Sequence, residues 1–235
     1  MTVGVIVITY NLSAEIFLLQ MAAIKKFLTD DFVIEIFDNS SNLVMAEQIR
    51  YHADKLGIRY TKTFSSSQNG SDSHSFAANL SYQRIKNDYD YYIYLDHDLI
   101  PVRNFSVIRM LEGGKVMAGI GQGAKKKYFW PGCCLFNANA IDRELIDFSY
   151  SHELGLDTGG MLYKVVEKYG IDNCVFFNEA YHQNPNFVSN EYGYFTAIND
   201  EMFYHCVNAS NWNGTNRHEE RINAFINLVK EKTGL

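Results

Sequence analysis

The 235-residue chain has no apolar run near the roughly 18–20 residues that a membrane-spanning helix requires; its continuous apolar stretches are short, such as Val5-Ile6-Val7-Ile8. No transmembrane segment is expected. Met1-Thr2-Val3 carries no basic residue, and polar Tyr10-Asn11 interrupts the apolar run, so the N-terminus does not read as a secretory signal. Only 3 prolines are present, which argues against a disordered or linker-rich chain. The four cysteines (Cys133, Cys134, Cys174, Cys206) show no CxxC spacing and read as reduced thiols in a cytoplasmic protein. Basic residues are in deficit, 21 against 27 acidic for a net charge of −6, so no broad basic surface is available for a phosphodiester backbone and nucleic acid is not an expected partner. The single basic run, Lys125-Lys126-Lys127, reads as a solvated loop that could steer an anionic ligand.

What is present is ordinary for a globular domain: 47% apolar and 20% charged residues in a length that suits one large α/β domain. Val3 to Ile8 is a β-branched run suited to a strand buried on both faces. Ser13 is placed to cap a helix with Ile16, Leu19, Ala23 and Phe27 at helical spacing. Phe32 to Phe37 makes a second strand, and the two form a parallel pair with a helical crossover. Further expectations are a helix over Glu47–Leu56, a strand over Ile58–Thr63, a loop from Phe64 to Ser75, and a helix with Phe76, Leu80 and Ile85 on one side. A fourth strand spans Tyr91–Leu95, with a helix over Phe105–Leu111 and a strand over Lys115–Ile120 after it. In the second half, Phe129 to Phe136 reads as a turn entering a strand, Thr158–Tyr169 as a helix, Cys174–Phe177 as a strand, Pro185–Asn199 as a loop and Arg217–Lys232 as an amphipathic helix. With no internal repeat or linker, the reading is one domain over 1–235.

Ligands in an open α/β sheet bind at the carboxyl ends of the strands. Three strands here end in polar clusters: Thr9-Tyr10-Asn11, Asp38-Asn39-Ser40 and Asp96-His97-Asp98. Two carboxylates at i and i+2 after an apolar strand can share a divalent cation, Mn2+ or Mg2+, if the backbone bends there. The alternative is a turn whose carboxylates cap nearby amides.

These strand ends, together with Tyr92-Ile93-Tyr94-Leu95-Asp96-His97-Asp98, resemble the nucleotide-sugar glycosyltransferases of the GT-A fold, and the family-two-like members most closely. The likeness covers about residues 3–140 in order and spacing. It implies a Rossmann-like three-layer α/β sandwich with a mostly parallel central sheet, whose first hundred residues bind nucleotide and whose remainder binds acceptor. It also implies a hexosyltransferase-like enzyme that moves a sugar from a nucleotide-diphosphate donor, UDP by analogy, to a hydroxyl of a carbohydrate or glycoconjugate.

By the same resemblance, Thr9, Tyr10, Asn11 and Asp38 hold base and ribose, although Asp38 also suits a plain Asx-turn. His74 touches donor or diphosphate. Asp98 is the direct metal ligand, with Asp96 closer to the donor and also within reach of the ion, while His97 points away because side chains alternate on an extended segment. His205 matches a late histidine that adds an imidazole ligand, or else is a buried histidine capping a strand. Ser210, Asn211 and Trp212 would then hold the diphosphate. Asp157 is the general base of an inverting transfer, or an N-cap aspartate, and the family's usual preceding Glu is replaced by Leu156. Trp130 and Gly132 fall in the acceptor pocket, with Tyr181, His182 and Tyr192 as further candidates. Phosphoryl transfer of the haloacid-dehalogenase type is disfavoured because Leu99-Ile100-Pro101 follows the acidic pair. Nucleotidyl transfer lacks its Gly-rich start. A non-catalytic sugar-nucleotide or carbohydrate-binding protein of the same fold stays open.

Overall fold

The computed structural model describes residues 1–64, 70–184, 194–210 and 217–235. Eleven strands and six α-helices are described: β1 (Val3–Thr9), α1 (Ala14–Phe27), β2 (Phe32–Asp38), α2 (Leu43–Lys55), β3 (Arg59–Lys62), α3 (Gly70–Ile85), β4 (Tyr91–Asp96), β5 (Leu99–Pro101), α4 (Val107–Met110), β6 (Met117–Gln122), β7 (Tyr128–Asn137), α5 (Tyr163–Tyr169), β8 (Cys174–Phe177), β9 (Glu179–His182), β10 (Phe195–Ile198), β11 (Phe203–His205) and α6 (His218–Thr233).

The main sheet has the order β3-β2-β1-β4-β7-β6-β8 and is parallel except for β7, which runs against both of its neighbours. Every residue of β1 is buried, as its unbroken apolar run requires, because its two faces feed two separate cores. Val3, Val5 and Val7 pack with Ile16, Phe17 and Ile24 of α1 and with Phe225 and Val229 of α6. Ile6 and Ile8 pack on the other side with Ala77, Ala78 and Tyr82 of α3 and Val165 of α5. The result is a three-layer α/β sandwich. Strands from both halves of the chain are hydrogen-bonded into one sheet through the β4–β7 pair.

Ser13 caps α1 as expected, accepting from Ile16 N at 3.4 Å, and α6 buries the expected Ile222, Phe225, Ile226 and Val229. Four expectations are corrected, the first being that the segment expected as a loop over Pro185–Asn199 contains β10 at Phe195–Ile198. The helix after the 64–75 segment begins earlier, at Gly70, and Phe76 and Leu80 lie exposed. Its inner face is Ser75, Ala77, Ala78, Ser81, Tyr82 and Ile85, whose small members let the helix lie close to the sheet. Phe129–Phe136 contains no entering turn: Trp130-Pro131-Gly132 lies inside the ten-residue β7. The register with β6 shifts between Gly119 and Gly121, so Pro131 sits where no ladder hydrogen bond is demanded of it. The expected helix over Thr158–Tyr169 is a 3-10 turn at Gly160–Leu162 followed by α5.

A second, antiparallel sheet of order β5-β11-β10-β9 stands at the carboxyl edge of the first. Its strands of three or four residues are too short to show a period of their own. Its register pairs Leu99 with His205 and thereby brings β11 beside the end of β4. No helix among the described residues is long and apolar enough to cross a membrane.

Candidate functional site

Parallel register aligns Thr9 with Asp38 and Ile8 with Asp96, so the polar ends of β1, β2 and β4 lie side by side on one edge of the sheet. The chain leaves β1 towards β2 and β3 on one side and returns to β4 on the other. The space between β1 and β4 is therefore a topological switch point, where α/β sheets open a crevice for ligands.

The nucleotide-side corner is knit to itself. Asp38 is fully buried; its Oδ1 accepts from Thr9 Oγ1 (2.9 Å), Ser40 N (3.0 Å) and Ser40 Oγ (2.5 Å), and its Oδ2 from Tyr60 OH (2.7 Å), with Lys62 Nζ 3.7 Å away. Burial first, and then the hydrogen bond to Asp38, push the Tyr60 phenol well above its ordinary value. Asn39 reaches α3 by donating to Ser73 O (3.0 Å) and Ser73 Oγ (2.5 Å), and accepts from Thr63 Oγ1 (2.9 Å). Asn11, at φ 45, donates its backbone N–H to Ser40 Oγ at 2.7 Å and accepts from Asn42 N at 2.9 Å through its side-chain oxygen, while the Tyr10 hydroxyl lies 3.3 Å from Ser41 Oγ. Both oxygens of Asp38 are thus engaged within the protein, and the residue expected to meet base and ribose braces the loops that border the crevice. Tyr60 and Lys62, two apart at the end of β3 and so on one face, belong to the same brace; that spacing was their sequence signal.

The corner after β4 is built differently. Residues 97 and 98 form a turn rather than continued strand, so side-chain alternation lapses there and His97 does not point away. Its Nδ1 lies 3.3 Å from Ile8 O and 3.9 Å from Asp96 Oδ1, and its Nε2 lies 4.0 Å from Asp98 Oδ2. Asp98 is 3% exposed. His205 Nε2 faces its Oδ1 at 3.1 Å, and its Oδ2 accepts from Ala209 N at 3.1 Å. One ligand atom each from Asp96, Asp98 and His205 falls within a mutual 4.8 Å.

Three buried atoms around the two carboxylates have no hydrogen-bond partner among the described residues: Asp98 Oδ1, His97 Nε2 and His74 Nε2, the last 3.6 Å from Asp96 Oδ1. A buried acceptor and two buried ring nitrogens without a hydrogen-bond partner among the described residues carry a desolvation cost. Carboxylate oxygens with an imidazole form a donor set for Mn2+ and related ions, so the residues present fit a divalent cation. Burial alone would raise the Asp98 carboxyl, but the charges of His205 and His97 hold it well below the usual carboxylate range. For His205 the order is the same: burial opposes the imidazolium, and the Asp98 carboxylate overrides it and raises the ring's value.

Trp130 closes this corner. Its ring lies over Gly132, where a Cβ would meet the indole at 2.1 Å, and it stands 5.2 Å from the His205 ring and 6.5 Å edge-on from His74. Asp157 is exposed on a neighbouring loop. It accepts from Ser71 Oγ (2.5 Å) and Thr158 N (2.7 Å), and its own amide donates to the Tyr128 hydroxyl. It does not cap an α-helix, since α5 begins six residues later. Gly159 lets the loop pass against Phe129 O of β7, at a φ of 80 that suits glycine. Burial raises the Glu179 carboxyl on β9 above its ordinary value, and His205 opposes that shift.

His74, Asp96, Asp98, Trp130, Gly132 and His205 lie near one another in this corner. Thr9, Tyr10, Asn11 and Asp38 form the adjacent brace, and Ser210 follows Ala209 in the loop after β11. Asn211, Trp212 and Tyr192 lie outside the described residues. Sequence reasoning missed Gln20, which supports the acidic turn from α1, and Arg221. The latter is 2% exposed on α6 and donates to Val207 O (2.8 Å) and Asn208 O (3.2 Å), fixing the loop that supplies Ala209 N.

The doubly wound sheet, the single reversed strand β7 and an acidic turn at the switch point define the architecture. The fold is a Rossmann-like α/β sandwich. No family model matches the chain, and no curated protein matches it. Among solved structures it is similar to a mannosyltransferase from Pyrobaculum calidifontis in complex with GDP-Man and Mn2+, at 16% identity and a TM-score of 0.48, covering 74% of this chain and 54% of that one. It is also similar to the bifunctional glycosyltransferase WbbM in its apo form, at 12% identity and a TM-score of 0.44, covering 74% of this chain and 38% of that one. The chain therefore spans about half the length, or less, of these two structures.

Proposed function

We propose that the chain is a metal-dependent glycosyltransferase that moves a sugar from a nucleotide-diphosphate sugar to a hydroxyl of a carbohydrate or glycoconjugate. The observation that carries this reading is the grouping of Asp96, Asp98 and His205 at the switch point, with unpartnered buried atoms around them. Asp98 and His205, with Asp96, hold the ion, and the mixed oxygen and nitrogen set favours Mn2+ over Mg2+, which keeps to oxygen ligands. When bound, a divalent ion neutralises charge on a departing diphosphate.

The chain's own residues do the rest. The Thr9–Asp38 brace keeps the crevice edge in place for the nucleotide, with UDP the first candidate, and Ser210 sits beside the amide that holds Asp98. The Trp130 face offers a flat apolar surface to a sugar ring. Asp157, exposed beside β7, takes the proton of the acceptor hydroxyl if the transfer inverts.

Two experiments test this. A thermal-shift panel of UDP-, GDP-, CMP- and dTDP-sugars with and without Mn2+ is expected to show one nucleotide class raising the melting temperature only with the metal. No metal-dependent shift with any donor would sink the reading. With that donor in hand, Asp157→Asn is expected to lower turnover by about 10²–10⁴-fold while leaving donor affinity unchanged. Donor binding without turnover in the parent chain would favour the non-catalytic binding protein instead.

A further inference from the structure

The carboxylates of the metal corner hang on a two-residue turn, His97-Asp98, between β4 and β5, and one side chain ties both ends of it. Gln20, on the inner face of α1, is fully buried. Its Nε2 donates to Asp96 O at 2.6 Å and to Leu99 O at 2.8 Å, the carbonyls on either side of the turn. The amide orientation follows from these contacts, since exchanging its oxygen and nitrogen would set an acceptor against two acceptors. Gln20 Oε1 is left without a hydrogen-bond partner. A buried amide that leaves its acceptor unmatched is present for its donors.

We propose that Gln20 is a positioning residue for the divalent cation, setting the aim of Asp96 and Asp98 through the backbone of the turn. The inference rests on the metal reading of Asp96, Asp98 and His205. The peptide groups at 96 and 99 govern the directions in which the two intervening Cα–Cβ bonds and that of Asp96 leave the chain, and Gln20 fixes both groups at once. β4 and β5 hold the flanking residues by ladder pairing, and within the turn further contacts act at single points: His97 Nδ1 near Ile8 O, Cys206 N donating to Asp98 O at 3.0 Å, Ala209 N donating to the Asp98 carboxylate, and His205 Nε2 facing it. Outer partners of metal ligands commonly govern metal affinity by about 10–100-fold.

The test is an EPR titration of Mn2+ into the full chain, wild type against Gln20→Met, which keeps the side chain's length and removes both donors. The control is Ile24→Val, a fully buried position on the same helix whose side chain carries no hydrogen-bond donor. Gln20→Met is expected to weaken Mn2+ binding at least about tenfold and to change the spectrum of the bound ion. Ile24→Val is expected to lower the melting temperature yet bind within about twofold of wild type. Should the Met variant fail to fold, Gln20→Asn, whose shorter amide cannot span both carbonyls, is read in the same way. Unchanged affinity and spectrum in a folded Gln20 variant overturn the proposal alone. A wild-type chain that binds no Mn2+ overturns the metal reading and this inference with it.

Discussion

Two polar corners share one edge of the main sheet, and each contains a buried aspartate, Asp38 at the end of β2 and Asp98 in the turn after β4. At Asp38 each carboxylate oxygen is matched by donors from Thr9, Ser40, Tyr60 and Lys62. At Asp98 one oxygen takes a backbone amide while the other faces an imidazole without a hydrogen bond, beside two further bare ring nitrogens. Equal burial therefore hides opposite situations. The first aspartate has both oxygens held by donors from its own loops, and the second keeps one oxygen facing the His205 ring at 3.1 Å. The distinction lies in the balance of donors and acceptors, not in depth or residue type.

Exchanging each carboxylate for its amide breaks the comparison most directly. Asp98→Asn is expected to abolish measurable Mn2+ binding by calorimetry, a loss of at least about 100-fold, with a smaller change in the stability of the metal-free protein than the Asp38 change causes. Retained Mn2+ affinity would falsify the ligand assignment. Asp38→Asn puts two amide hydrogens where Tyr60 or Thr9 now donates, and is expected to cost about 3 kcal/mol in denaturant unfolding. The folded variant should still bind Mn2+ within a few-fold; if it loses the metal, the two corners are not separable as described.

The smallest effect is expected from pH. Folding raises the His205 value above its ordinary 6.5, so its stabilising contribution is complete below that pH and fades as pH rises through the folded value. Folding lowers the Asp98 value from 3.8, so its contribution holds above that pH and fades only as pH falls through the folded value. The metal-free protein should therefore lose stability above about pH 6.5 while Mn2+ binding tightens over the same window, because the ion must displace a proton from the ring. Calorimetry across that window with wild type and His205→Gln checks both trends. Equal slopes in the two proteins would assign them to another group.

The parts of the fold that could be read from sequence are those whose signal is local. Val3–Ile8, Phe32–Phe37 and Tyr91–Leu95 are apolar runs long enough for strands, each ending in a polar cluster, and that placed the acidic pair at a carboxyl edge. The amphipathic period of α6 was equally legible. The small sheet was not: β5 and β11 have three residues each, and nothing in Leu99-Ile100-Pro101 or Phe203-Tyr204-His205 says that they pair. The likeness to a known family, not periodicity, brought His205 into the site. His97 was misjudged because alternation was extended past the end of β4 into a turn. Pro131 was misjudged because a proline suggests a break wherever the neighbouring register is not known. Gln20 and Arg221 gave no sequence signal, since a side chain that donates to distant carbonyls has no characteristic spacing.

The pairing of Leu99 with His205 has a consequence for how the molecule holds together. An ion gripped at once by the end of β4 and by the end of β11 would rivet the small sheet to the large one, with its two anchor points more than a hundred positions apart in the chain. Chelation should then loosen more than a binding pocket: amide hydrogens of residues 195–198 and 203–206 would exchange faster once the ion is withdrawn, while those of β1 keep their pace.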